Sequence, residues 1–295
     1  MTTLNELVAV GLDGSAESMA AAHWAAQEAL LREVPLRLVH AEEWSSARDL
    51  APVTSAEMHS GWAEALLRNA AVELHERHPG LSISPLSLDD RPAKALSAVA
   101  ATADMLVLGS RRLGAIAGFV LGSVGLAVIH STERPIVLVR AGDDVIAHPQ
   151  EHPGDREMVV GVDIHQPCDA LLAFAFEEAS RRSCTLRALH SWPLPPLVGY
   201  GAAYDPRVHA QLEMSAKAGL DEMLEPWRER FPGVQVAARV LCGRAAWQLV
   251  EAGSDAELVI VGRRIRHSSV GTRIGPIAHA VLHHARAPVA VIAHP

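Results

Sequence analysis

The stretch MLVLGSRRLGAIAGFVLGS, residues 105–123, sets the wiring of the chain. Four apolar residues, Met105 to Leu108, read as a buried strand that delivers the chain to Gly109; Gly114 and Gly118 follow, and Gly122-Ser123 stands before a helix-compatible segment. Strand, glycine-bearing turn and helix in that order make an anion-friendly arrangement. Glycine lets the backbone approach a ligand closely, and the first free N–H groups of a helix point outward with the positive end of its dipole behind them. The spacing equally suits a plain strand-to-helix connection whose glycines only satisfy the turn, and the stretch alone leaves both readings open.

Working outward, the sequence repeats itself. LVAVGLDG at 7–14 returns as MVVGVDIH at 158–165, setting Asp13 against Asp163 at an offset of 150. WAAQEALLR at 24–32 matches FAFEEASRR at 174–182, and LVH at 38–40 matches ALH at 188–190, with the same offset. ADMLVLGSRR at 103–112 then matches AELVIVGRR at 256–264, and RPIVLVR at 134–140 matches APVAVIAH at 287–294, at an offset of 153. Collinear matches of this kind mark an internal duplication.

In the first half, β-rich runs near 7–12, 36–41, 82–88, 104–109 and 135–140 alternate with helical patterns near 16–33, 55–78, 92–102 and 123–131. Runs such as LVAV, MLVLG and IVLV are apolar on both faces, as strands of a parallel sheet covered by helices must be. The expectation is an α/β chain of two tandem doubly wound domains, 1–142 and 157–295, joined by a Pro- and charge-rich linker at 143–156. Right-handed crossovers put the carboxyl ends of the first and fourth strands side by side at a switch point, where such sheets bind ligands. Two loop-like stretches, 45–55 and 193–206, follow the second strand of each half and read as flexible covers or as ordinary long connections.

The formal charge of −8 argues against a nucleic-acid face, which needs clustered Lys and Arg. No apolar run approaches the length of a membrane span, and the N-terminus lacks the basic region and long apolar core of a signal peptide, so a cytoplasmic protein is expected. Cys168, Cys184 and Cys242 are too widely spaced for a disulfide framework or a Cys-x-x-Cys metal site and read as reduced, mostly packed thiols.

VAVGLDGSAES at 8–18, LVHA at 38–41 and the Gly109-to-Ser123 pattern resemble the universal stress protein family, here as a tandem member with the likeness covering nearly the whole chain. The resemblance implies a five-stranded parallel sheet in each half, strand order 3-2-1-4-5, with helices on both faces and the two domains paired through their fifth strands; a homodimer of chains stays open. It also implies ATP, with or without Mg²⁺, as ligand, because the ATP-binding branch carries G-x-x-G, nine residues, then G-S or G-T. Gly109, Arg112 and Gly122-Ser123 fall on that pattern, so an Arg stands where the second glycine would be. Forcing it into a positive-φ turn would cost about 1–2 kcal/mol, so either the loop changes shape or the position tolerates a side chain.

Carried over residue by residue, Leu12 would lie against the base and Asp13 would accept hydrogen bonds from adenine or a ribose hydroxyl, unless Asp13 is simply the helix cap. Ala41 would lend backbone groups to the adenine edge. Gly109, Arg111, Arg112, Gly122, Ser123 and Val124 would cradle the phosphates, although Arg111 and Arg112 also read as plain solvated cations. The second half departs further: Ile164-His165 replace Gly14-Ser15, Ile265 takes the second glycine position, and Gly275 is followed by Pro276. Proline has no N–H to offer a phosphate, so this half reads as a structural partner.

The sequence contains no G-x-x-x-x-G-K-[ST] loop, no G-x-G-x-x-G after a strand and no G-x-S-x-G elbow. His279 and His283 share a helix face, but without an H-E-x-x-H arrangement they read as surface histidines. Trp24, Trp227 and Trp247 fall in helical patterns and read as core, while Trp44 and Trp192 follow the second strands near the switch-point mouths. Three readings result: an adenine-nucleotide-binding stress-response protein that acts by binding, with hydrolysis slow at most; a scaffold that has lost the nucleotide; and an enzyme, for which no catalytic constellation is visible.

Overall fold

A computed structural model describes residues 6–43, 53–112, 119–120, 122–141, 156–192, 206–265 and 274–295. It divides into two compact units, Met1–Ala147 and His148–Pro295. The loops expected at 45–55 and 193–206, Trp44, Gly114, Gly118 and all but the last residue of the expected linker lie outside the described residues, apart from the few positions that begin α2 and α6.

The first unit runs β1 (Val8–Gly11), α1 (Ala16–Arg32), β2 (Leu36–Glu42), α2 (Val53–Arg77), β3 (Ile83–Asp89), α3 (Pro92–Thr102), β4 (Met105–Arg112), β5 (Phe119–Val120), α4 (Ser123–Ser131) and β6 (Ile136–Arg140). Its parallel strands lie in the order β3-β2-β1-β4-β6, the 3-2-1-4-5 arrangement. Val8, Val10, Met105, Leu106, Val107 and Leu138 have no solvent exposure, each contributing about 1.5–3 kcal/mol of apolar burial. The strands that read as continuous apolar runs, β1, β4 and β6, are therefore the fully buried ones. Outer β3 alternates half-buried and exposed residues and tolerates Pro85.

The second unit runs β7 (Glu157–Gly161), α5 (Asp169–Arg182), β8 (Thr185–Trp192), α6 (Pro206–Arg230), β9 (Val236–Cys242), α7 (Ala245–Ala252), β10 (Leu258–Arg264), α8 (Pro276–His284) and β11 (Val289–His294). Its parallel strands take the same order, β9-β8-β7-β10-β11. In each unit the first two helices pack together and the last two pack together, the two-faced cover that reversal of the winding requires.

The first-unit elements agree with the sequence reading to within a few residues at their ends, with one addition. Arg111 and Arg112 are strand residues, paired antiparallel with Val120 and Phe119 of β5. Arg112 is thus extended, and among the described residues only Glu33 and Ser183 combine a side chain with positive φ. The loop changes shape at the point where a glycine turn was expected.

Buried charge recurs as faithfully as the apolar pattern. Glu28 on α1 and Glu178 on α5 are inaccessible and are paired with Arg32 and Arg182 one turn on, and Arg181 also reaches Glu178 at 2.8 Å. Removing either carboxylate would take the ion-pair partner from a guanidinium held largely out of water, a destabilising change. Trp227 meets the core expectation, stacking on Phe176 at 5.9 Å. Trp247 does not: it is 62% exposed, because Ala245 and Leu249 turn inward and a residue two positions away lies on the opposite helix face. Among the described residues no helix is long and apolar enough to cross a membrane.

The three cysteines are free; Cys168 and Cys184 are buried, and burial pushes both thiols up to about 11. Native protein treated with iodoacetamide at mildly alkaline pH should carry label on half-buried Cys242 first, with Cys168 and Cys184 reacting only after denaturation. Peptide mapping reads this directly, and prompt labelling of Cys168 would contradict its packing.

Candidate functional site

In the first unit β1 and β4 are hydrogen-bonded neighbours, Val8 opposite Met105 and Val10 opposite Val107, yet their chains leave for opposite faces of the sheet. A crevice opens between their carboxyl ends. Leu12 closes β1: it is 4% exposed and its N–H donates to Val39 O at 2.8 Å. Backbone groups alternate sides along a strand, so those of Ala41 share the direction of Val39 and point past the end of β1.

Asp13 is exposed at the crevice, where its Oδ1 accepts the Ser15 N–H at 3.0 Å and the Ser15 hydroxyl. The helix cap is Ser15, whose Oγ accepts the Ser18 N–H at 3.2 Å. The capping alternative for Asp13 therefore falls to its neighbour, and Asp13 makes the Asx turn that leads into α1. Gly14 between them has φ +81°, a value at which a side chain would be strained, and Trp62 of α2 lies against it. The same Trp62 ring meets His40 edge-on at 5.3 Å. His40, only 5% exposed, donates from Nδ1 to Leu12 O at 2.8 Å, so its Nε2, 3.6 Å from Glu42, is the acceptor nitrogen when the ring is neutral.

Gly109 and Gly122 are glycines for different reasons. A Cβ on Gly109 would stand 2.6 Å from the Glu17 carbonyl carbon and 2.7 Å from the Ser18 nitrogen, so β4 and the first turn of α1 approach too closely for any side chain. Gly122 has φ −58°, open to any residue, and a Cβ there would meet nothing within 4 Å among the described residues. It is the N-cap of α4 with no side-chain capping bond, although a cap oxygen there would stabilise the helix. Ser123 is exposed at the first helical position and Val124 is half-buried beside it. Parallel strands and an antiparallel return helix bring Leu12, Asp13, Ala41, Gly109 and the start of α4 to one end of the sheet. Arg111 and Arg112 continue β4 there.

The equivalent place in the second unit is a cleft of about 540 Å³, lined in part by Val162, Asp163, His190, Trp192, Leu249 and Arg264. Asp163 makes the same Asx turn, its Oδ1 accepting the His165 N–H at 3.0 Å, and His190 donates to Val162 O at 3.1 Å as His40 does to Leu12. Helix α5 begins at Asp169, later than the repeat predicts, because Pro167 restrains the residue before it from helical geometry. The imidazole of His294 takes up the space, standing 2.7 Å from where a Cβ on Gly262 would be. Burial is the main force holding the His294 pKa below its ordinary value, with Arg264 and Arg263 lowering it further against backbone bonds to Pro295 and Pro167.

The profile of the universal stress protein family matches residues 5–140 and again 156–293. The chain belongs to the universal stress protein family. It is 35% identical over 291 residues to universal stress protein Rv2005c of Mycobacterium tuberculosis, covering 96% of each chain. It is 32% identical over 296 residues to a universal stress protein of Mycolicibacterium smegmatis, covering 97% of this chain and 96% of the relative. The crystal structure of a universal stress protein from Archaeoglobus fulgidus shares the fold at TM-score 0.72 and 16% identity, covering 99% of this chain and all of that one.

Two members of this universal stress protein site escaped the sequence reading. The histidine common to LVH and ALH signalled the paired His40 and His190, whereas Trp62 left no trace because its repeat position holds Ser215. The two glycines separate by experiment. Gly109→Ala should lower the free energy of unfolding by about 1–3 kcal/mol through overpacking, and Gly122→Ser should leave it unchanged or raise it by a few tenths of a kcal/mol. Urea denaturation of the two variants checks both signs.

Proposed function

We propose that this universal stress protein binds an adenine nucleotide, ATP, in its first unit and acts through that binding on its own conformation or on a partner. The observation that carries the reading is Gly122: none of the described residues crowds a side chain there, and the uncapped first turn of α4 leaves N–H groups for a ligand. In this reading the N–H groups of Ser123 and Val124, the Ser123 hydroxyl and the guanidinium groups of Arg111 and Arg112 hold phosphates. Leu12 lies against the base, Asp13 accepts from the ribose or adenine, Ala41 meets the adenine edge, and Gly109 contributes backbone only. Among the described residues no group of three or more metal-binding side chains is present, so Mg²⁺ would enter on the phosphates, where it neutralises charge. Free thiols suit a reducing, cytoplasmic setting. The competing scaffold reading rests on Arg112, which is strand-paired with Phe119 where the ATP-binding branch has a turn glycine.

The test uses opposed signs. Gly122→Asp supplies the missing cap and places a carboxylate at a helix N-terminus, so it should stabilise the protein by about 0.5–1 kcal/mol. The same carboxylate would repel a phosphate, so nucleotide released on denaturation and measured by chromatography should fall from about one per chain to none. Wild-type protein that releases no nucleotide and shows no thermal shift with ATP and Mg²⁺ would sink the proposal, as would Gly122→Asp protein that keeps its nucleotide.

A further inference from the structure

The second-unit cleft, about 540 Å³, has a chemistry of its own. Its deep wall is apolar, with Val162, Leu171, Leu189, Leu249, Val261 and Ala278 all buried. Several of its polar atoms are already committed within the protein: Asp163 Oδ1 to the His165 N–H, His190 Nδ1 to Val162 O, and His294 Nδ1 to Pro295 O at 3.0 Å. Arg264, exposed on the rim, has no ion-pair partner among the described residues. Trp192 contributes an indole N–H, a donor only, that is buried without an acceptor among the described residues. What the described residues of the cleft offer is the Arg264 cation at the rim and an uncommitted indole donor over a greasy floor, with the Asp163 carboxylate at the end of β7 already turned to the His165 N–H.

That chemistry excludes two obvious occupants. A polyphosphate would need the leading N–H and the hydroxyl that Pro276 lacks at the start of α8. A divalent cation would meet an arginine beside imidazoles already bonded to carbonyls, and the described residues hold no cluster of three metal-binding side chains. A single negative charge on an apolar body meets neither obstacle. The carboxylate pairs with a guanidinium that has no ion-pair partner among the described residues, and the body covers floor that would otherwise face water.

We propose that the cleft of the second unit is a binding site for a small organic monoanion, a carboxylate carried on an aromatic or branched aliphatic body, with the carboxylate at Arg264 and the body against Val162, Leu249, Val261 and Ala278. The site is independent of the nucleotide reading of the first unit. A tandem chain would then sense two unrelated metabolite classes through two copies of one fold.

The full-length protein is titrated with 8-anilinonaphthalene-1-sulfonate, whose single sulfonate on an aromatic body stands in for the carboxylate, and the bound dye is competed with 1-naphthoate and with neutral 1-naphthamide. Saturable fluorescence at one dye per chain is expected, displaced by naphthoate at least about tenfold better than by naphthamide and undisturbed by ATP. Arg264→Gln should weaken the dye by about tenfold and bring naphthoate and naphthamide together, because the charge has lost its partner. Ile277→Trp, which fills the mouth from a 45% exposed position, should abolish the saturable signal without shifting the melting temperature. Gly122→Asp should leave dye binding intact, so failure of this site and failure of the nucleotide site are told apart on the same samples. Absence of a saturable site, equal competition by the neutral amide, displacement by ATP, or variants that bind like wild type would each overturn the assignment.

Discussion

Two parallel strands that lie side by side but send their chains to opposite faces of a sheet leave their carboxyl ends without a cover, and the architecture of each unit answers that exposure. The first need is to satisfy the carbonyl that follows β1 or β7, since a buried orphan carbonyl costs about as much as a lost hydrogen bond. An imidazole from the neighbouring strand does so in both copies, His40 to Leu12 O and His190 to Val162 O. The second need is to turn the chain into a helix at once, and the Asx turns of Asp13 and Asp163 do that. Only with these in place is the crevice a fixed shape rather than a frayed edge.

The two copies fill the outer wall of that crevice by opposite choices of size. In the first, Gly14 in the loop receives Trp62 and Leu66 from α2; in the second, Ile164 in the loop fits against Gly219 on α6, 3.4 Å from where a Cβ would be. Close packing requires the pair to fill the volume but not which member is large, so a duplicated fold drifts along such compensated exchanges at little cost. The consequence is functional, because bulk on the helix sets an aromatic at the mouth, whereas bulk on the loop leaves the mouth to the strand end and to Trp192. Starting α5 three residues late extends the same drift, with His294 taking the place of a lost helical turn.

Much of this was legible before any coordinates. Apolar runs such as LVAV and IVLV read as buried parallel strands, so strand identity followed from them, while the strand order came from the family resemblance. What escaped reading depends on partners distant in sequence. Glu33 and Ser183 end α1 and α5 in left-handed geometry, yet neither residue type announces it; the equivalence of the two positions was the only sign. At Arg112 the sequence left open whether the loop changes shape or the position tolerates a side chain, because β5, two residues long, has too little sequence to show a period. Trp247 was misread because a helix pattern says which residues share a face but not that an aromatic must take the inner one.

The motif itself also divides on inspection. Gly109 is glycine because the backbone of Glu17 and Ser18 lies where its side chain would be, and the fold would demand this with no ligand present. Gly122 is glycine where no described residue crowds a side chain and a capping side chain would be more stable by a few tenths of a kcal/mol. A position that forgoes available stability points to a constraint from outside the chain, whereas one that is sterically forced says nothing of ligands. Gly262 and Gly275 divide in the same way, the first pressed by His294 and the second open. In the second unit the open position is followed by Pro276, so the bare helix start survives there without its leading donor, and the chemistry of the crevice passes from the helix to the side chains that line it.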